Sequence, residues 1–595
     1  MLYLGFDVST QQLKIIVTTD QLEVYKTYFV EFDAEFKLYG ITKGVISEDD
    51  GTIVSPVSMW LDALDHVFDK MKQDDFPFDQ VGGISGSCQQ HGSVFWNKNA
   101  SQLLGSLDPK SSLKSNLSGA LAYEYSPNWQ DHSTGKELHD FDTHYGVDKL
   151  AQVTGSKAHY RFTGLQIRKL ATRADREIYD NTSRISLVSS FIASILLGKI
   201  APIEEADACG MNLYDVENGE YDDELLALAA GVDPTKDGVE KNSEKYKDGI
   251  KQVKEKLGRI DPITFESLGS ISLYFVEKYK FNKDCKIYSF TGDNLATIIS
   301  LPLAPNDYLI SLGTSTTVLI ITKNYNPSPL YHLFKHPTMK GYFMGMICYC
   351  NGSLAREKVR NEVNKKYNVE DKNSWDEFNR ILDSHHDFNN KLGIYFPLGE
   401  IVPNAKAQTK RSILQGDEVV DVEIGDKWDV EDDVTSIVTS QTLSCRLRGG
   451  PMLSNEISKD AELEKLYDDL KQRFGEISTD GHKQTFESLM SRPHRCYYVG
   501  GASKNPSIIK KMGSILSPKN GNYKVEIPNA CALGGAFKAS WSHLCETRGF
   551  VRYDEYIQEM FDKKGELEEI KVEDQWVSHF NGCGMLSKME SELEH

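Results

Sequence analysis

Two stretches of this chain, about 300 residues apart, carry one pattern. Residues 2–19 read LYLGFDVSTQQLKIIVTT, and residues 309–322 read LISLGTSTTVLIIT. Each is an apolar run of β-formers, a Gly-led turn rich in Ser and Thr, then a second β-rich run. Gly5 is read into the first turn and Gly313 into the second. Such turns display backbone N–H groups and hydroxyls, donors that can hold a phosphate. The duplication predicts two related halves, each with one turn, gripping a nucleotide from both sides.

The chain has 595 residues, enough for two large domains. Hydrophobic residues make up 40% of it, ample for packed cores. The net charge is -20 and no basic stripe stands out, which argues against nucleic acid as a partner. An anionic ligand then needs local donors, and the two turns supply them. The ten cysteines form no CxxC pairs, the pattern of reduced, buried thiols in a cytoplasmic protein. Cys348 and Cys350 in MICYC fit one face of a strand better than a metal site. No signal peptide is expected at Met1, and the apolar run Leu187–Leu197 is too short to span a membrane. Leu593, Glu594 and His595 read as a tag remnant.

The first half is expected over 1–301 and the second over 302–550, with a charged tail at 551–592. Strands are expected at 2–8, 13–19 and 26–31 and a helix near 57–72. A polar cluster follows at 82–92. The second half repeats the hairpin at 307–322, with helices near 353–366 and 435–447. The acidic stretches 415–434 and 455–481 read as surface insertions. Residues 494–513 read as strand, Gly-rich turn and helix, and 529–541 as a second helix of small residues.

Asp7 follows Gly5 closely. A carboxylate beside phosphate makes sense where it holds hydrated Mg²⁺, with Ser9 and Thr10 as donors. An ordinary hairpin, its Asp and Ser bonded to their own backbone, fits the same residues. The second turn, Gly313-Thr314-Ser315, carries only donors. Thr291-Gly292-Asp293-Asn294 precedes an apolar, helix-like run. Asp293 there is either a helix cap or a base that accepts a proton from a substrate hydroxyl. Gln90 and His91, in SCQQHG, offer donors and acceptors suited to a polyol, and Arg161 and Trp129–Asp131 add to a polar set. Gly500 and Gly501 end a strand where a flat base could approach the backbone. There is no P-loop, no protein-kinase signature and no HExxH.

The segments SGSCQQHGSVFW (85–96), PNWQDHST (127–134), EEADACGMNLYD (204–215), TGDNLATI (291–298), SLGTSTTV (311–318), GMICYCNGSLARE (345–357), YFPLGEIVP (395–403), GGASKN (500–505) and NACALGG (529–535) occur in this order. Together they resemble the FGGY carbohydrate kinases, over about residues 2–545. The resemblance implies an α/β fold of two RNase H-like domains of the actin/Hsp70 ATPase type with an interdomain cleft. It implies ATP-dependent phosphorylation of D-xylulose at its 5-hydroxyl, with Mg²⁺, by a monomer or homodimer. It implies Asp293 as the catalytic base and Gln90, His91, Arg161, Asp293 and Asn294 as sugar contacts. It implies Ser9, Thr10, Gly313, Thr314, Trp375, Gly500, Gly501 and Asn505 on the ATP side, and Asp7 on the metal side through water. Another ketose or polyol, such as D-ribulose or glycerol, remains open as the substrate. So does an actin- or Hsp70-like ATPase without a sugar, although no peptide-binding module is seen after residue 550.

Overall fold

A computed structural model describes residues 1–173, 175–385, 387–453, 461–564 and 567–594. The chain condenses into two units. The first holds Met1–Pro302, Leu333–Gly341 and Pro528–Lys564, and the second holds Leu303–His332, Tyr342–Ile527 and Gly565–His595.

The first unit is built on a sheet that starts with β1 (Leu2–Val8), β2 (Gln12–Thr19) and β3 (Val24–Glu31). These three run antiparallel in sequence order. On its other side β1 pairs in parallel with β4 (Val81–Cys88). The sheet continues through the short β5 (Gly269–Ser270) and β6 (Lys286–Ile287), and β7 (Thr291–Gly292) pairs with the end of β4. Every residue of β1 and β4 is buried, so neither alternates apolar with polar. That is the pattern of a strand covered on both faces. The helices α1 (Val57–Gln73) and α2 (Val188–Leu197) contribute Trp60, Phe68, Phe191 and Ile195 to the core below the sheet.

Two sequence expectations fail here. Gly5 lies inside β1, not in the turn, which falls at Ser9–Gln11. Its role is close approach. A Cβ on Gly5 would come within 1.8 Å of the Ala532 carbonyl oxygen and 2.4 Å of the Ala536 nitrogen. Those atoms belong to α4 (Ala530–Arg548); a further short helix, α3 (Asp293–Ile298), follows β7. The second failure concerns α4 itself. It was expected in the 302–550 domain, yet it packs on β1 and β4 in the first unit. Small residues let it lie flat: a Cβ on Gly535 would come within 2.5 Å of the Gly86 Cα.

The second unit repeats the scheme. β8 (Tyr308–Leu312) and β9 (Thr316–Thr322) form the duplicated hairpin, and β9 pairs with β10 (Phe343–Tyr349). On the other side β8 pairs in parallel with β11 (Cys496–Val499), then β12 (Asn522–Lys524) and the antiparallel β13 (Glu568–Ile570). The helices Ser353–Lys366, Val430–Gly449 and Pro506–Leu516 belong to this unit.

The acidic stretch 415–434 is not a loose insertion. Glu418–Asp421 pairs as a third strand beside Gln408–Gln415, and Trp428 is buried. Asp433 explains the buried indole. It accepts from Trp428 Nε1 at 2.9 Å, from the Tyr395 hydroxyl at 2.6 Å and from Arg411 Nε at 2.7 Å. In the stretch 455–481, residues 455–460 lie outside the described residues. Ala461–Phe474 is a helix that buries Leu470. The tail is also folded. Tyr553–Lys564 is a helix of the first unit, and Phe580–Glu590 packs in the core of the second. Leu593 is buried, and the Glu594 carbonyl accepts the Lys406 N–H at 2.9 Å. His595 lies outside the described residues.

Candidate functional site

In the first unit the polar candidates gather at the ends of β1, β4 and β7. These strands are neighbours in register: Asp7 lies opposite Ser87, and Thr291 and Gly292 lie opposite Ser87 and Cys88. The chain leaves all three strands within a few residues, so Asp7, Gln89–His91 and Asp293 meet at one edge. Ser87 Oγ donates to Asp7 Oδ1 at 3.1 Å. Burial pushes the Asp7 carboxyl up to about 6, against the lowering effect of Ser87 and Lys14.

Asp293 is the first residue of α3 and is half-buried. Its Oδ1 accepts from the Asn294 backbone N–H at 2.8 Å and from Asn294 Nδ2 at 3.2 Å. Asn294 Nδ2 also donates to Gln90 Oε1 at 3.1 Å, tying α3 to the polar loop after β4. Burial raises the Asp293 carboxyl most, and the Asp7 and Asp207 carboxylates add to it, giving about 7. Asp293 forms part of the wall of a cavity of about 1070 Å³, with Ser9, Thr10, Gln89, Trp129 and Gln130.

His91 takes a left-handed backbone, φ 70°, which a residue with a Cβ adopts only where its surroundings enforce it. Its ring stacks on Phe162 at 4.4 Å, and its Nδ1 lies 3.0 Å from the Gly210 carbonyl oxygen. A carbonyl only accepts, so Nδ1 carries a proton and donates it to Gly210. Arg161 places its guanidinium 5.8 Å from the same Phe162 ring.

The Ser9 and Thr10 hydroxyls already have partners in the first unit. Ser9 Oγ donates to the Gln12 carbonyl at 3.2 Å. Thr10 Oγ1 donates to Gln89 Oε1 at 3.2 Å and accepts from Trp129 Nε1 at 2.9 Å. Asn128 Nδ2 holds the same Gln89 oxygen at 2.6 Å.

The second unit carries the other candidates. Gly313 and Thr314 form the turn between β8 and β9, and their carbonyls accept from Ser353 N at 2.9 Å and Gly352 N at 3.0 Å. The turn is thereby fixed against the start of the helix Ser353–Lys366. Gly500 has φ 91°, and a Cβ there would lie 2.9 Å from the Leu312 carbonyl oxygen, so it sits against the same turn. Asn505 caps the helix Pro506–Leu516, and its Nδ2 donates to Asn379 Oδ1 at 2.8 Å. Asn379 N in turn donates to the Trp375 carbonyl at 2.8 Å. Trp375 is half-buried with the Arg360 guanidinium 4.8 Å from its ring. Gly313, Thr314, Trp375, Gly500 and Asn505 therefore form one connected patch, and Gly501 follows Gly500 in an open position.

Sequence reasoning missed two acids. Asp207 is buried, accepts from Ser189 Oγ at 2.6 Å and is raised by burial to about 6. Glu204 is buried, accepts the Asp207 N–H at 2.8 Å and the Thr291 hydroxyl at 3.0 Å. The signal was two acids three apart in EEADACG before a Gly, which reads equally as a helix start.

The C-terminal domain of the FGGY family of carbohydrate kinases matches residues 308–543. A xylulose kinase of Saccharomyces cerevisiae is 46% identical over 94% of this chain and 91% of its own length. A probable D-xylulose kinase A of Aspergillus fumigatus is 43% identical over 91% and 88%. This chain belongs to the FGGY carbohydrate kinases. Among solved structures, the ligand-bound xylulose kinase of Lactobacillus acidophilus superposes with a TM-score of 0.67 at 14% identity, covering 99% of this chain and 97% of that one. The Plasmodium falciparum glycerol kinase with ADP gives 0.66 at 12%, covering 100% and 99%. At such identities the likeness speaks to the fold, the two-domain actin/Hsp70-like α/β fold of this family. No helix among the described residues is long and apolar enough to cross a membrane.

Proposed function

We propose that this kinase transfers the γ-phosphoryl group of ATP to the 5-hydroxyl of D-xylulose, with Asp293 as the base. The observation that carries the reading is the Asp293 carboxyl, held near neutrality by burial and by Asp7, at the wall of a large polar cavity. A base works best when its pKa lies near the working pH. Asn294 occupies Oδ1, which assigns Oδ2 to the substrate proton. Gln90, His91, Arg161 and Asn294 orient the sugar. Phosphoryl transfer asks the protein mostly to position groups and to stabilise charge.

The donor set suits Mg²⁺. Asp7 is a hard oxygen ligand whose raised carboxyl would ionise fully beside a cation. Among the described residues no three His, Cys, Asp or Glu side chains could hold a metal together, so the ion would keep water and phosphate oxygens. When bound it would neutralise phosphate charge. Gly313, Thr314, Gly500, Gly501, Asn505 and Trp375 form the patch that would take the nucleotide, Trp375 by stacking. Ser9 and Thr10 shape the first hairpin by bonds of their own and act on phosphate through their backbone and position. The enzyme would act in the cytoplasm, as a monomer or homodimer.

The test is ADP release with D-xylulose, D-ribulose, glycerol and no sugar. D-xylulose should give the highest kcat/KM, and Asp293→Ala should lower turnover by at least ~10² with ATP binding retained. Equal turnover with and without any sugar would instead favour the ATPase reading.

A further inference from the structure

The first unit buries two opposite charges that the proposed reaction does not use. Glu204 and Lys538 are each 2% exposed. Glu204 ends a two-residue strand and caps the turn that carries Asp207. Its Oε2 accepts two hydrogen bonds, from the Asp207 N–H at 2.8 Å and from the Thr291 hydroxyl at 3.0 Å. Its Oε1 has no hydrogen-bond partner among the described residues. Lys538 lies on α4, the helix laid flat over β1 and β4.

Thr291 is two residues before Asp293, on the strand β7 whose other edge pairs with β4. Gly292 between them is crowded: a Cβ would lie 2.3 Å from Gln90 Cγ. The strand end that delivers Asp293 is thus held by β4 through the strand pairing and by one carboxylate oxygen through the Thr291 hydroxyl. β7 has only two residues and two register positions, too few to fix its own end.

We infer that Glu204 is a positioning residue for Asp293, holding the Thr291–Asp293 strand end through the Thr291 hydroxyl. The inference rests on the reading of Asp293 as the base. Oε2 accepts in either protonation state, because the unpartnered Oε1 can carry the proton. Burial drives Glu204 upward and the Lys538 ammonium opposes it. Asp207 pushes the same way as burial, and Asp261 shares Lys538. On α4 and the segment 333–341 the other group facing Lys538 is His336, which burial holds neutral.

The experiment compares Thr291→Val, which keeps the shape and removes the hydroxyl, with Thr291→Ser, which keeps the hydroxyl. Thr291→Val should lower kcat for the sugar roughly tenfold, leave the KM for ATP within about twofold, and speed amide exchange at 291–294. Thr291→Ser should stay within about threefold of wild type, and Glu204→Gln should fall between the two. Equal kcat for the Val and Ser variants, or unchanged exchange at 291–294 in the Val variant, would overturn the inference. If the wild-type protein phosphorylates no sugar, the proposed function fails at that step. The exchange arm still decides whether Glu204 holds the strand end.

Discussion

Replacing Asp293 by Asn should make this protein more stable while it stops the reaction. The folded environment raises the carboxyl from 3.8 to about 7, chiefly by burial and then by the Asp7 charge. At 1.36 kcal/mol per pKa unit, ionising it in place costs about 4 kcal/mol. Solvent reaches a half-buried side chain, so about 2 kcal/mol is the expected gain from removing the charge. Asn keeps the Oδ1 that accepts the Asn294 N–H at 2.8 Å, so no hydrogen bond is lost. The sign follows from the raised pKa. The folded protein holds this proton more tightly than the unfolded chain, so stability falls as pH rises from about 4 through 7 and is flat above. The gain in Asp293→Asn should therefore be full at pH 8 and shrink by more than half at pH 5. Differential scanning calorimetry at the two pH values reads it, as a rise of roughly 3–5 °C at pH 8. No rise at pH 8, or the same rise at pH 5, would refute the claim that the site stores an ionisation cost at Asp293.

Two further outcomes concern packing. Gly5→Ala should cost about 3 kcal/mol or more in urea unfolding, because the added Cβ would fall 1.8 Å from a helix carbonyl with nowhere to go; a loss under ~0.5 kcal/mol would remove the close approach of α4. Arg448→Met should cost about 3–5 kcal/mol, because the buried Glu590 carboxylate, now 3.0 Å from the guanidinium, is left unpaired; adding Glu590→Met should recover most of it, and no recovery would assign the loss to packing alone.

Much of the local scheme was legible. The duplicated hairpins were found because an apolar run, a polar turn and a second apolar run have one reading at that spacing, and Asp293 stood out as an acid at the start of an apolar helix. What the sequence hid was long-range. Gly5 looked like a turn residue, but its reason is a helix more than 500 residues later. Trp428 lay in a stretch read as surface because Asp433 is acidic, and only Arg411 and Tyr395 make that acid an interior residue. Glu204 and Asp207 gave no sign of burial, since their partners Thr291, Ser189 and Lys538 lie 18 or more residues away.

The place of α4 has a consequence for how the protein is made. Its residues leave the ribosome more than two hundred positions after Pro302, where the long first segment of the first unit ends. At about 5–20 residues per second, β1 and β4 wait roughly 20–100 s for their cover. During that interval Gly5 and Gly86 line an uncovered apolar face that any other apolar segment could occupy. A chain cut short before residue 530 would keep that face open for good. Truncated forms should therefore depend on chaperones and aggregate, even with every proposed sugar-contacting residue present.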